Sequence, residues 1–368
     1  MPADAALDPF RAPFAMADIL RRAQADALGA FGLSPTECRY RVVASGSHWR
    51  LRDYADQDTS TSLLIVAAPI KRPYIWDLAP SVSAVRRCMR ERLHVYLLEW
   101  MPASPDNANK GLDEYTDAIC ECIAIVSVES RSTWPFLVGH SLGGTLAAIS
   151  SALAPERVRG LVLLDAPLCF RPKSAPFRDA LVSLIPSPLS EDELFPGSLL
   201  SHMSALAAPG TFIWSRLMDA ALSMTDRHAL DIHARVERWA LDEVALPGKL
   251  VHQIVDWLYR EDRFCRGALT VHETLLGPSS LSVPTLAVVN VADEVAPVTS
   301  VVPFTDAMPT GYARIIEYPG EVGVGVQHLG ILVGREAHAR VWPQIISWLN
   351  ARGTVASAAG APERAASA

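Results

Sequence analysis

Cysteine is scarce and unpatterned in this chain. There are six in 368 residues, Cys38, Cys88, Cys120, Cys122, Cys169 and Cys265, and none has C-x-x-C spacing. That count and scatter argue against a disulfide framework and predict reduced thiols in a cytoplasmic protein. Long apolar runs are also missing: no stretch of about 18 apolar residues is present, so no membrane span is expected. The start of the chain has no charged region leading into an apolar run, because Asp18 interrupts Phe14–Leu20, and no secretory leader is expected. Basic clusters are absent and the formal net charge is −7, which excludes nucleic acid as the expected partner. The ten histidines show neither H-x-x-x-H nor Cys/His ligand spacing, and no G-x-G-x-x-G follows a strand. Neither a metal nor a dinucleotide cofactor is expected, and no other cofactor is indicated. No internal repeat is found.

What is there centres on Phe136-Leu-Val-Gly-His-Ser-Leu-Gly-Gly-Thr145. Phe136–Val138 reads as the end of a buried strand, Gly139–Gly143 fits G-x-S-x-G, and Thr145–Ala154 reads as a helix. At ordinary glycine and serine usage the five-residue motif arises by chance in about one chain in ten of this length. Its strand–turn–helix setting is what makes it a nucleophile elbow. Gly139 and Gly143 leave room for strand and helix to approach. Ser141 then projects at a helix N-terminus, where amides and dipole favour developing negative charge.

Around this point the chain alternates. Residues 1–12 lack pattern, and Ala15–Leu28 reads as an amphipathic outer helix. Tyr40–Ala44 and Trp49–Tyr54 read as strands. The continuous apolar run Ser62–Ala68 marks a central parallel strand, and His94–Trp100 and Val158–Asp165 read as further strands. Val82–Leu93 and Leu112–Val128 read as helices between them. The rhythm stops from Ala166 to about Leu281, where Phe212–Ser223, Leu230–Glu243 and Leu250–Arg260 read as helices of an inserted cap. It resumes at Thr285–Val291 and Ala313–Tyr318, and a helix over Ala337–Arg352 closes the fold. The expectation is an α/β protein with a mostly parallel sheet flanked by helices. Its divisions are an extension and outer helix (1–30), a core in two parts (31–165 and 282–352), a mainly helical cap (166–281) and a disordered tail (353–368). Pro186, Pro188 and Pro209 are candidate hinges for a moving cap.

A serine nucleophile needs a base held by an acid. In open α/β sheets such groups gather at the carboxyl ends of strands. His328 follows the last expected strand, in a glycine-rich loop, and is the expected base. Asp293, after the strand ending at Val291, is the expected acid, with Asp165 as rival and Glu294 as a weaker substitute. The order Ser141, Asp293, His328 matches that of α/β-hydrolases. Ser141 attacks an acyl carbon, His328 takes its proton, and Asp293 fixes the imidazole tautomer. The oxyanion donors are expected to be the amide of Leu142 and one from the loop after Ala68, at Ile70 or Lys71, since Pro69 has no N–H.

Several stretches are similar to polyhydroxyalkanoate synthases. They are Ala68–Leu78, Ser81–Val85 and Val95–Trp100, then Trp239–Gly248 and Leu258–Gly267 in the cap, Asp293–Pro297 and Val341–Leu349. The resemblance covers residues 60–350. It implies the α/β-hydrolase fold and carries the acid and base onto Asp293 and His328. It also marks a departure, because those synthases have cysteine where this chain has Ser141. A thiolate leaves more readily than an alkoxide, so a serine-bound acyl group is less activated for passage to the next alcohol, and water competes. The expected function is therefore a serine hydrolase of an ester or thioester, with an acyl, hydroxyacyl or acyl-coenzyme A substrate. An acyltransferase using a hydroxyl acceptor, or a non-catalytic partner of a synthase, are the alternatives. His140 and Trp239 are candidate substrate contacts under an apolar cap roof. A homodimer is compatible with this class.

Overall fold

The computed structural model describes residues 11–54, 61–130, 134–187 and 189–359, with side chains described to residue 353. Pro188 and residues 1–10 lie outside the described residues, as does the tail from 360. Eight strands form one sheet: β1 (Arg41–Ser45), β2 (Trp49–Asp53), β3 (Ser62–Val66), β4 (His94–Trp100), β5 (Phe136–His140), β6 (Gly160–Leu164), β7 (Thr285–Asn290) and β8 (Ala313–Tyr318). Their spatial order is β1-β2-β4-β3-β5-β6-β7-β8. The pairs β1·β2 and β2·β4 are antiparallel, and every other neighbouring pair is parallel.

The apolar runs are buried on both faces, and the period of two divides them. In β3, Leu63 and Ile65 enter one apolar cluster with Trp342 and Trp348, while Leu64 and Val66 enter the other with Ile119 and Leu146. Each fully buried side chain of this kind contributes about 1.5–3 kcal/mol. Helices α1 (Ala12–Leu28), α2 (Ala84–Arg90), α3 (Leu112–Glu129) and α4 (Leu142–Leu153) match expected helices, with α4 beginning at the motif itself rather than at Thr145. Ser83 sets the start of α2, its Oγ accepting from the Arg86 amide at 2.9 Å. The closing helix Trp342–Ala359 runs past the expected boundary at 353.

The 166–281 stretch contains α5 (Pro176–Leu184), α6 (Gly197–Ala207), α7 (Ser215–Ser223) and α8 (Arg227–Leu241), then the π-helical Gln253–Arg260. Helix α8 starts three residues earlier than the apolar pattern suggests because Asp226 caps it, accepting from the amides of His228 and Ala229 at 2.8 and 3.3 Å. Ile185, Phe195, Leu199, Leu246 and Val255 give this stretch a cluster of its own, against which Ile70 packs. This stretch also packs on both sheet-face clusters. Ile232 and Val236 of α8 join one sheet-face cluster, and Leu258, Phe264, Leu269 and Leu276 join the other. The last two lie on a hairpin, Leu269–Val271 with Thr274–Leu276, that the helical reading did not include.

Two expectations are corrected here. Cys169 and Cys265 form a disulfide, 96 residues apart in sequence, with Cα atoms 5.0 Å apart. It ties the segment after β6 to the loop after Gln253–Arg260. Sequence spacing gave no sign of it, because the two cysteines are separated by 96 positions and no local pattern links them. Cys38, Cys88, Cys120 and Cys122 are free. The second correction concerns α1. Its apolar stripe does not face the protein: Met16, Ile19 and Leu20 are exposed. The helix docks instead through buried Ala25, through Phe14 against the cluster of Phe195 and Leu199, and through polar side chains. Asp18 accepts from the amides of Gly197 and Ser198 at 3.1 and 2.7 Å, at the start of α6. Arg21 reaches the Ala240 carbonyl and Glu243, each at 3.0 Å.

Candidate active site

Strand β5 turns into α4 within one residue. Ser141 has φ 55° and ψ −134°, a conformation that a non-glycine residue adopts at a cost of about 1–3 kcal/mol. The surroundings hold it there. Its amide donates to the Leu164 carbonyl at 3.0 Å, and its carbonyl accepts from Gly144 and Thr145 at 2.9 and 3.1 Å. The flanking glycines are required by close approach: a Cβ on Gly139 meets Gly144 backbone at 2.5 Å, and one on Gly143 meets the Val66 carbonyl oxygen at 2.3 Å. The second contact also shows that the chain leaving β3 crosses the first turn of α4. The Leu142 amide is at the first position of that helix, upstream of any intrahelical acceptor. Ile70 occupies a turn with Pro69 beside this crossing, and its neighbour Lys71 is fastened to the cap, with Nζ 2.6 Å from the Ala240 carbonyl and 2.7 Å from Glu243.

His328 Nδ1 lies 2.6 Å from Asp293 Oδ2, and this acid is 3% exposed. Burial pushes the Asp293 carboxyl up, but the facing His328 and the amides of Val295 and Ala296 outweigh it and hold the group below the usual carboxylate range. The other ring nitrogen, His328 Nε2, is buried and without a hydrogen-bond partner among the described residues. A buried imidazole nitrogen left open opposite its carboxylate partner is what a general base requires. Glu294, one residue on, points elsewhere and accepts from Thr211 of the cap.

Asp165 is brought close to Asp293 but does a different job. Its Oδ1 accepts from the Asn290 amide at 2.6 Å. Burial, then the nearby Asp293 charge, raise its carboxyl well above the ordinary value. Two neighbouring acids are thereby driven apart, one towards the charged form and one towards the neutral form.

His140 faces His328 rather than open space. Its Nε2 is 2.7 Å from the His328 carbonyl oxygen, and the two rings are 4.7 Å apart. Burial, then the neighbouring His328, lower His140 to about 3, so the ring is neutral and its Nε2–H donates. Trp239 is likewise committed within the protein, its indole N–H donating to the Arg72 carbonyl at 2.7 Å. It clamps the loop after β3 to the cap. Both side chains thus hydrogen-bond within the protein at the two positions the sequence suggested as substrate contacts.

Three residues near the site carried no sequence signal. Asn290 donates through Nδ2 to the Gln327 carbonyl at 2.8 Å, fixing the residue before His328. Tyr259 stacks on Phe170 at 4.2 Å, and burial and the Asp293 charge push its hydroxyl up to about 12. Asp219, on α7, binds the amides of Gly323 and Gly325. Among the described residues one group of potential metal ligands, Cys169, Asp262 and Cys265, comes together, and its two sulfurs are joined to each other.

The strand order, the sharp turn at Ser141 and the His–carboxylate pair beside it define the α/β-hydrolase fold, and residues 88–202 match the family model described as alpha/beta hydrolase fold. The chain has that fold. The sequence is 28% identical over 329 residues to the poly(3-hydroxyalkanoate) polymerase subunit PhaC of Haloferax mediterranei, covering 87% of this chain and 65% of that protein. It is 25% identical to the protein of the same name from Allochromatium vinosum, covering 79% of this chain and 81% of that one. This chain thus spans less than two thirds of the Haloferax protein's length. Among solved structures, a bacterial membrane phospholipase A superposes with a TM-score of 0.53 at 15% identity, covering 90% of this chain and 93% of its own. A carboxylesterase of Nitrososphaera gargenis superposes with a TM-score of 0.51 at 12% identity, covering 85% and 99%. Among the described residues no helix is long and apolar enough to cross a membrane.

Proposed function

We propose that this protein is a serine acyl hydrolase acting on an ester or thioester, with Ser141 as nucleophile, His328 as base and Asp293 as the acid that orients it. The observation that carries the reading is the His328 ring, paired to Asp293 at 2.6 Å through Nδ1 and open at Nε2. Ser141 Oγ adds to the acyl carbon as its proton passes to His328 Nε2. The bond to the alkoxide or thiolate then breaks, and that group takes the proton. Water repeats the sequence on the acyl-enzyme, releasing the acid and freeing Ser141. The amides of Leu142 and Ile70 receive the oxyanion, each donor worth about 3 kcal/mol in the transition state.

A fluorophosphonate probe tests this reading. It labels the wild type and not Ser141→Ala, and short nitrophenyl esters turn over in the first and not the second. Equal labelling of the two proteins overturns the reading.

The polymerase relatives, covering 79–87% of this chain, favour a second reading in which the acyl group passes to a hydroxyl acceptor. The triad is the same and only the second nucleophile differs. Incubating an acyl-coenzyme A with and without hydroxyl acceptors separates the two, since hydrolysis that no acceptor suppresses excludes transfer. Serine in place of the synthase cysteine weighs towards water.

A further inference from the structure

We propose that Asp219, a cap residue remote in sequence from the triad, is a positioning residue for His328, so that the base is in place only while the cap is seated. The inference rests on His328 being the base.

The segment between β8 and His328 has little regular structure to hold it. It runs from Tyr318 through Gly320, Gly323 and Gly325, whose φ angles are 79°, 89° and 75°. A backbone with this freedom keeps one shape only if it is fastened from outside. Glu321, within the segment, accepts from the amides of Glu336 and Ala337 at 2.9 and 3.0 Å, and three further fastenings are present. Asn290 Nδ2 holds the Gln327 carbonyl at 2.8 Å, and His140 Nε2 holds the His328 carbonyl at 2.7 Å. Both come from ends of sheet strands. The third comes from the cap: Asp219 Oδ1 accepts from Gly323 N–H at 2.6 Å, and Oδ2 accepts from Gly325 N–H at 2.8 Å. One carboxylate thus spans alternate amides of the loop, each charge-assisted and stronger than a neutral bond.

The carboxylate is itself built in. Asp219 is 7% exposed, and His233 of α8 approaches Oδ2 with Nδ1 at 2.9 Å. Beyond His233, Glu237 lies 3.8 Å from Nε2 and is in turn paired with Arg216. Burial pushes the Asp219 carboxyl up, but His233 and the two glycine amides outweigh it and keep the group charged. The loop lies flat on α8, since a Cβ on Gly325 comes within 3.0 Å of Val236 and one on Gly323 within 3.2 Å of Ala229. A helix pair of the inserted stretch therefore grips the strand-to-base loop, and displacement of α7 and α8 pulls on the backbone that carries His328.

Asp219→Asn tests the assignment. The asparagine keeps one acceptor oxygen and turns an NH2 towards the other glycine amide, so one fastening is lost while bulk is kept. With a small fluorophosphonate and a short nitrophenyl ester, the labelling rate of Ser141 and kcat fall by about tenfold or more, as a misplaced base implies, while KM stays within about twofold. Asp219→Glu, with two acceptor oxygens, recovers part of the loss. A folded Asp219→Asn with unchanged kcat and labelling, or with the loss confined to KM, overturns the proposal. If that variant gives no cooperative melt, His233→Phe is measured instead. It leaves both glycine bonds but frees the carboxylate, and kcat falls by about threefold; no change there overturns the proposal. Absence of labelling in the wild type overturns the triad, and this proposal falls with it.

Discussion

His140 and His328, 188 residues apart, are joined by one hydrogen bond, from the Nε2–H of the first to the carbonyl oxygen of the second at 2.7 Å. The residue before Ser141 thereby holds the backbone of His328. Substitution of His140 by Phe keeps a ring in the space and removes the donor. kcat is expected to fall by about tenfold with KM little changed, because a shift of a fraction of an ångström in the base costs rate rather than affinity. Steady-state kinetics on a short ester check this, and a KM rise at constant kcat would refute the supporting role.

The two acids respond differently to amidation. Asp293→Asn places an NH2 or a neutral oxygen against His328 Nδ1 and removes the charge that stabilises the imidazolium. A loss of kcat on the order of 10³–10⁴-fold is expected. Asp165 is held towards its neutral form, and only its Oδ1 is engaged, by the Asn290 amide. An asparagine reproduces a neutral acid with one acceptor, so Asp165→Asn stays within about threefold of wild type. The reverse ranking of the two variants would exchange their roles.

Ser141→Cys probes water against alcohol as acceptor. A thioester-linked acyl group is more activated towards alcohols than an oxyester. The variant is expected to give a higher ratio of transfer to hydrolysis with an acyl thioester and excess glycerol, while total turnover drops. Product ratios by mass spectrometry decide it. An unchanged ratio means that the pocket, not the nucleophile, selects the acceptor.

The Cys169–Cys265 bridge closes a loop of 96 residues. Chain entropy sets its contribution at about 4–5 kcal/mol at most. Thiol titration of the unfolded, unreduced protein is expected to count the four free cysteines, and six after reduction. The thermal midpoint falls on reduction. Six thiols without reductant would show the bridge to be absent.

Acid lability follows from buried histidines. Burial lowers His338, whose Nε2–H donates to the Leu332 carbonyl at 2.8 Å, to about 4. In the unfolded chain a histidine titrates near ~6.5, so between these values the unfolded state binds the proton and the folded state does not. The contribution of this residue is present above pH ~6.5 and is lost as pH falls towards about 4. His338→Gln removes that dependence. The difference in urea midpoint between wild type and variant is therefore larger at pH 7.5 than at pH 4.5. Equal differences at both would rule the mechanism out.

Local pattern in the amino-acid order determined a good deal. Period-two burial and unbroken apolar runs place the central strands, and Ser83 and Asp226 mark helix starts through their own side chains. Gly139-His-Ser-Leu-Gly143 specifies the sharp turn because no larger residue fits at its flanks. The carboxyl ends of β7 and β8 then narrow the choice of acid and base to a few residues. Pairings between distant segments were decided only by tertiary structure. Tertiary packing sets Asp293 rather than Asp165 on His328, joins Cys169 to Cys265, turns Met16, Ile19 and Leu20 of α1 outward, and carries Asp219 to the loop before His328. The physical reason is one of range. Dihedral preference, hydrophobic period and turn chemistry act over a few residues and leave a mark in order. Contacts across a sheet depend on which strands become neighbours, a property of the whole chain's packing that no short stretch records.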